Sequence, residues 1–434
     1  MSTVVEKPAP TPAPVPAPAA QSVSVRPSLR IPIILGVLAL VALAVFGFGA
    51  KSGVDSTFGL SLRADAVQLS PLVVASRPTA IVLGVLCVAI AAFAFWQAVK
   101  HRRTPAWLLA VFGVLWVFAF LVWAVAGKAT SLVDLLQGSL LLAVPLAFGA
   151  FGGVLCERAG VVNIAIEGQL LVGAFAAAVV ASVTGNVYAG LLAAPVAGWL
   201  LGLLLALFTV KYAVNQIIVG VVLNVLAVGL TSFLFSAVLK PNAATLNTPP
   251  LMKPIGIPLL EKIPLLGPVL FDQTVIVYAM YVAVVVLTVL LFRTRWGLRV
   301  RAVGEHPEAA DTVGIDVNRT RWRNVLAGSA TAGFGGAFLT IGYVGQFGQE
   351  MSGGRGYIAL AAMILGRWTP IGSLGAALLF GFATKLASAL SVLGTPVPSQ
   401  FMLMLPYVLT IFAVAGFVGR VRAPAASGVP YLKG

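Results

Sequence analysis

Charge is scarce in these 434 residues: Asp, Glu, Lys and Arg together supply 9% of the chain. A soluble globular protein carries about 25%. So few polar groups do not coat a soluble fold of this length, and the soluble, disordered and fibrous classes are excluded together. Cysteine is scarce too. Cys87 and Cys156 lie far apart in apolar stretches, so no disulfide framework or cysteine metal spacing is available, and both read as buried free thiols. The two histidines, His101 and His306, sit in loops between apolar runs, and no Asp/Glu/His cluster forms a plausible metal or acid–base site. With neither catalytic nor metal-ligating residues to assign, a membrane enzyme is disfavoured. No GxxxxGK[ST] phosphate loop occurs either; the nearest fragment, Gly127-Lys128-Ala129, lacks the upstream Gly and the hydroxyl residue after Lys.

What the chain has instead is apolar length, with 59% hydrophobic residues and 45 glycines. A spanning helix needs about 20 mostly apolar residues. Such runs fall at about 31–50, 79–99, 106–126, 138–156, 165–183, 187–209, 216–236, 274–292, 325–345, 356–369, 371–391 and 401–419. The sequence therefore predicts an all-α polytopic membrane protein of about 12 transmembrane helices. The run at 356–369 is too short to span alone and is expected as a half-helix or re-entrant element buried in protein. Residues 1–30 are rich in Pro and Ala, lack an apolar core, and read as a disordered cytoplasmic tail. A second cytoplasmic tail follows at 421–434.

The net charge of +15 acquires a meaning from this topology. With the N-terminus inside, nineteen of the 28 Lys and Arg fall on cytoplasmic segments and eight outside. That is the positive-inside bias, so both termini are expected inside and the basic excess is no nucleic-acid footprint. Seven of the inner charges lie in the largest cytoplasmic connection, Arg293–Asn324. There Pro307 suits a first helical position, Glu308 the positive end of the helix dipole, and Gly314 a left-handed position just past the end. The small side chains of Ala309 and Ala310 would allow close approach to another protein surface. Arg299, Arg301, Arg319 and Arg321 are expected to hold this short helix at the membrane boundary.

The segment GLRVRAVGEHPEAADTVGI resembles the EAA-type loop of permease subunits of ABC importers, in particular the nucleoside and simple-sugar group related to ribose and branched-chain amino acid permeases. GVLCERAGVVNIAIEGQLLVGAF (Gly153–Phe175), NQIIVGVVLNVLA (Asn215–Ala227) and GGRGYIALAAMILGRWTPIG (Gly353–Gly372) are similar to the same group. The resemblance covers about 106–420 and implies a ten-helix core there, leaving 31–105 as two extra helices. It implies a bacterial cytoplasmic membrane location and three protein partners: an ATP-binding subunit that uses ATP and Mg, a second permease, and an extracytoplasmic substrate-binding protein. No cofactor is expected on this chain, and membrane lipids and a small nucleoside or sugar are its other contacts. By position, Glu308, Ala309, Ala310 and Gly314 inherit the docking role on the ATPase, with Glu305 and Asp311 beside them.

Polar residues at membrane depth are costly and mark candidate pathway positions. Asn163 and Glu167 are four apart and would share a helix face, either lining the pathway or tying Glu167 to Arg158 or Lys211. Gln216 and Asn224 are eight apart and again roughly on one face, suited to helix packing or to an uncharged nucleoside. Phe334, Tyr343, Gln346 and Tyr357 complete the candidates near the outer half. Lys385 is expected to snorkel outward. Import of ribose or galactose by the same machinery is the alternative; an ion-coupled transporter lacks a charged pair at mid-membrane and leaves the EAA-like loop without a role.

Overall fold

In the hydrocarbon region a backbone has no water to bond, so long apolar runs close their own hydrogen bonds as helices. The computed structural model describes residues 29–62, 67–102, 104–394, 400–401, 404, 407–408 and 422–432. Contacts divide the chain into two units, Met1–Ser52 with Arg77–Trp123, and Gly53–Ser76 with Ala124–Gly434.

The first unit holds α1 (Arg30–Val41), which continues as a π-helical turn to Gly47, α2 (Ser76–Val99) and α3 (Ala106–Ala124). Phe46 is enclosed by Trp116, Phe120 and Trp123 with ring centroids 5.2–5.4 Å apart, and the Trp116 indole donates to the Leu38 carbonyl at 2.9 Å. The boundary expected at residue 105 falls inside this unit.

In the second unit β1 (Asp55–Gly59) pairs antiparallel with β2 (Leu72–Ala75) and parallel with β3 (Ala129–Ser131). The helical bundle follows: α4 (Leu132–Arg158), α5 (Ile166–Thr184), α6 (Val187–Ala206) and α7 (Gln216–Leu234). A connection carrying the short α8 (Ala243–Leu246) and the two-residue strands β4 (Ile255–Gly256) and β5 (Asp272–Gln273) leads to α9 (Val275–Arg293). Then come α10 (Arg295–Glu305), α11 (Pro307–Thr312), α12 (Val317–Ala337), α13 (Arg355–Leu365) and α14 (Pro370–Leu393). Among the described residues ten helices are long and apolar enough to cross a membrane, and α13 is a shorter apolar helix. Most of the expected twelfth helix, 401–419, lies outside the described residues, as do residues 1–28 of the expected tail.

Caps move several boundaries. Ser131 accepts from the Asp134 N–H and starts α4 six residues earlier than the apolar run. Asp316 caps α12 through the Arg319 N–H at 2.8 Å, so the helix projects two turns beyond its apolar part. α4 is buried along nearly its whole length and packs against α12, α13 and α14. Lys385 does not snorkel free: its stem crosses Gly138 and its ammonium pairs with Asp134 at 2.9 Å.

Small residues set the helix spacing, as expected from the AGFGGAF segment at Ala332–Phe338. A methyl on Gly173 would stand 2.2 Å from the Gly333 carbonyl oxygen, and one on Gly333 2.6 Å from that of Ala194. Gly229 faces open space. Gly333→Leu is therefore expected to lower the monodisperse yield in size-exclusion chromatography by about fivefold or more, the signature of forced overpacking, with Gly229→Leu at wild-type yield.

Candidate functional site

The residues between α4 and α5, 159–165, are not helical, yet they run into the bundle. Asn224 marks their depth. It sits eight residues into α7, about 12 Å from that helix's start, and its side chain accepts from the Gly168 N–H at 2.8 Å. Non-helical backbone at this depth survives only if protein groups replace water. The Asn224 amide donates to the Ile164 carbonyl at 2.9 Å, and Gln216 accepts from the Val162 N–H at 2.6 Å. Asn163 and Gln169 exchange bonds at 3.0 and 3.1 Å, and Gln169 also donates to Ser329 at 2.9 Å. All five polar side chains here, with Glu167, are buried.

Residues flanking this stretch clasp α13 at both ends. At the N-terminus the Glu167 carboxylate accepts from the Gly354 N–H at 2.7 Å and from the Gly356 N–H at 2.5 Å. An anion placed on the first free N–H groups of a helix satisfies them and matches its dipole. Gly354 must reach φ +79°, and a methyl on Gly356 would lie 2.3 Å from the Glu167 nitrogen. Beyond the C-terminus, Arg367 and Trp368 have φ of 55° and 50°. This unfavourable turn is held by Glu157, which accepts from the Trp368 indole at 2.6 Å, and by Arg158, which donates to the Trp368 carbonyl at 2.8 Å. From the sequence, Glu157 and Arg158 read as part of an interfacial turn; their hold on the residues after α13 was not foreseen.

Several expectations change. Asn163 and Glu167 share no helix face, because α5 begins only at Ile166; Asn163 bonds Gln169 and Glu167 turns to α13. Glu167 is tied to neither Arg158 nor Lys211, since backbone N–H groups take its oxygens. Gln216 and Asn224 do share a face, the one against the 159–165 segment. Tyr357 joins them, accepting from Asn224 at 3.2 Å. Phe334, Tyr343 and Gln346 lie elsewhere. Phe334 meets Phe148 edge-on at 4.9 Å in an apolar groove, Tyr343 stacks on Phe338 at 6.0 Å, and Gln346 is exposed.

Beside the start of α13 is a cavity of about 330 Å³. Gly353, Arg355, Thr384, Ser388 and Tyr407 give it polar atoms, against Leu142, Leu146 and Ile358. Arg355 also donates to the Met351 and Ser352 carbonyls at 2.9 and 3.0 Å. From the sequence, Gly353 and Arg355 belong to a Gly353-Gly354-Arg355-Gly356 run expected as a hinge or an outer gate, whereas Thr384, Ser388 and Tyr407 drew no expectation; their signal was Thr384 and Ser388 at helical spacing in an apolar run.

The loop 293–324 carries α10 and α11. Pro307 occupies the first turn of α11 as expected, and Gly314 at φ +82° ends it, with bonds from Gly314 N–H to the Asp311 carbonyl and from Ile315 N–H to that of Ala310. Glu305, Glu308 and Ala309 are exposed, whereas Ala310 faces inward against Val303 and Val317. Only one of the two alanines is thus available to a partner. Arg321 does not face outward as a boundary charge would: it is 2% exposed, with its guanidinium turned to the C-terminal segment. Gly304 at the end of α10 lies so close to Arg158 that a methyl there would stand 2.2 Å from the Arg158 carbonyl oxygen. The α10–α11 unit and the clasp are contiguous.

Residues 135–414 match the family model described as the permease component of the branched-chain amino acid transport system. The chain belongs to this permease family. It is therefore a membrane permease component rather than an enzyme. It is 40% identical over 309 residues to the guanosine ABC transporter permease protein NupQ of Bacillus subtilis, covering 69% of this chain and 97% of that one. It is 38% identical over 310 residues to the nucleoside ABC transporter permease protein NupC of Lactococcus lactis, 68% and 95% of the two chains. A putative glucose ABC transporter permease protein, TsgC13 of Haloferax volcanii, is 33% identical over 252 residues, 58% and 76%. No solved structure matches.

Glu167→Gln replaces a charge-assisted acceptor pair by one oxygen and an amide that points hydrogens at hydrogens. Destabilisation of about 2 kcal/mol is expected, read as a lower unfolding midpoint of the purified permease, and Gly356→Ala should lower it at least as far. An unchanged midpoint in both would remove the clasp.

Proposed function

We propose that this chain is one of two permease subunits of an ATP-driven nucleoside importer of the bacterial cytoplasmic membrane, with both termini in the cytoplasm. The observation that carries this is the match to the guanosine permease at 40% identity along 97% of that protein. The glucose relative supports a sugar reading less, at 33% over a shorter stretch. The chemistry of the α13 cavity agrees: hydroxyls, a phenol, backbone groups and one guanidinium suit a neutral base and ribose, and among the described residues no carboxylate lines it. A pair of permeases is supported by NupC and NupB, both matching this chain and both from Lactococcus lactis.

The energy comes from another chain. A separate ATP-binding subunit, carrying ATP and Mg, docks on α11 through Glu308 and Ala309. Gly314 fixes the end of that helix, and Glu305 and Asp311 flank it. Closure of the ATPases moves α10 and α11, which press on Arg158 and hence on the turn after α13. A separate extracytoplasmic binding protein delivers the substrate.

Radiolabelled uptake of guanosine, adenosine, uridine and ribose, in cells with and without the chain, tests the reading. Loss of nucleoside uptake alone is expected; loss of ribose uptake alone would transfer the machine to sugars. Glu308→Lys is expected to cut uptake about tenfold or more, the size of a reversed charge contact at an interface, and to release the ATPase on purification, while the permease stays inserted. Wild-type uptake in that variant would remove α11 as the docking helix.

A further inference from the structure

The C-terminal segment, residues 422–432, returns to the α10–α11 unit. Its Ala426 N–H donates to the Gly304 carbonyl at 2.9 Å and its Ala425 N–H to the Glu305 carboxylate at 3.2 Å. Further on, the Val429 carbonyl accepts from Arg321 Nη1 at 2.8 Å, and Tyr431 packs beside Val303, Ala310 and Val317 while hydrogen-bonding Asp311. Arg321 is the largest fully buried side chain among the described residues, and its Nε and Nη2 meet no acceptor there. Burying a guanidinium on a single carbonyl is costly, and leaving the tail elsewhere would hydrate it. The tail is nevertheless laid over it: Pro424 and Ala426 are buried, and a methyl on Gly160 would find Arg321 at 2.9 Å and the Ala426 carbonyl at 3.3 Å. A segment fixed at this cost is placed for what it presents.

It presents a wall. Between the tail and α11 runs an open groove of about 400 Å³, with Glu305, Glu308 and Ala309 on one side and Ala425 and Val429 on the other. Among the described residues the groove is lined by two carboxylates and His306 and by no Lys or Arg, on a chain of net charge +15. Val429 is 53% exposed, and Val313 past the end of α11 is 74% exposed. The six residues of α11 extend only about 9 Å, too little for the roughly 800 Å² per partner of a stable interface.

We propose that the ATP-binding subunit docks on a composite surface, α11 together with the C-terminal strap 424–431. Its inserted segment places a Lys or Arg between Glu305 and Glu308 and an apolar side chain against Val429. Arg321 is the positioning residue that holds the strap in register. This rests on α11 being the ATPase-docking helix, and the test separates the two statements.

The full-length permease in nanodiscs, titrated with the purified ATP-binding subunit, is compared as wild type, Val429→Asp, a chain ending at Arg422, and Glu308→Lys. Val429→Asp changes an exposed side chain and leaves the fold intact. It is expected to weaken binding about tenfold or more, the effect of a hot-spot contact, and the shortened chain at least as much. If Glu308→Lys abolishes binding while Val429→Asp and the shortened chain bind as wild type, the composite surface is wrong and α11 docking stands. If none of the three changes affinity, docking on α11 falls with it. Should the shortened chain fail to insert, Val429→Asp decides alone.

Discussion

One carboxylate inside the bundle governs the rest of the site. Glu167 accepts from the N–H groups at the start of α13, a helix of eleven residues. At about 16 Å this helix is too short to reach both faces of a bilayer, so its ends must be satisfied by protein. Glu167 does so at one end and Glu157 with Arg158 at the other. These residues flank a single non-helical segment, so the two irregular stretches of the bundle hold each other. The surrounding amides of Gln216, Asn224, Asn163 and Gln169 close the remaining backbone groups.

That arrangement relates the α10–α11 unit to the helical bundle. Arg158 belongs to both: its side chain holds the turn after α13 and its carbonyl meets Gly304 of α10. Arg158 and Arg301 also stand over the same ring, Phe292, at 5.6 and 5.3 Å. A displacement of α10 and α11 therefore has a packed neighbour to act on, with no flexible linker between. Contiguity of this kind is the minimum that coupling requires; two discrete arrangements of the clasp complete it.

Much of this was legible in the sequence. Apolar length fixes the spanning helices because backbone satisfaction in lipid permits little else, and Pro307 and Gly314 bracket α11 because their backbone preferences act locally. The short run near 356 was readable as a half-helix by length alone. The residues closing the clasp were harder. Asn163 and Glu167 look like one helix face at spacing four, but spacing does not reveal that the helix starts between them. Arg321 looks like a boundary charge because its cover, the segment at 424–431, is more than a hundred residues away. Ala310 turns inward for a reason equally invisible locally, since Val303, Val317 and Tyr431 come from three separate elements.

Hydrogen–deuterium exchange at the Gly354 and Gly356 amides, in the permease reconstituted in nanodiscs, tests the clasp most directly. Slow exchange is expected in the wild type, with marked acceleration at these two amides in Glu167→Gln. Exchange in the wild type at the rate of an unbonded loop amide would contradict it.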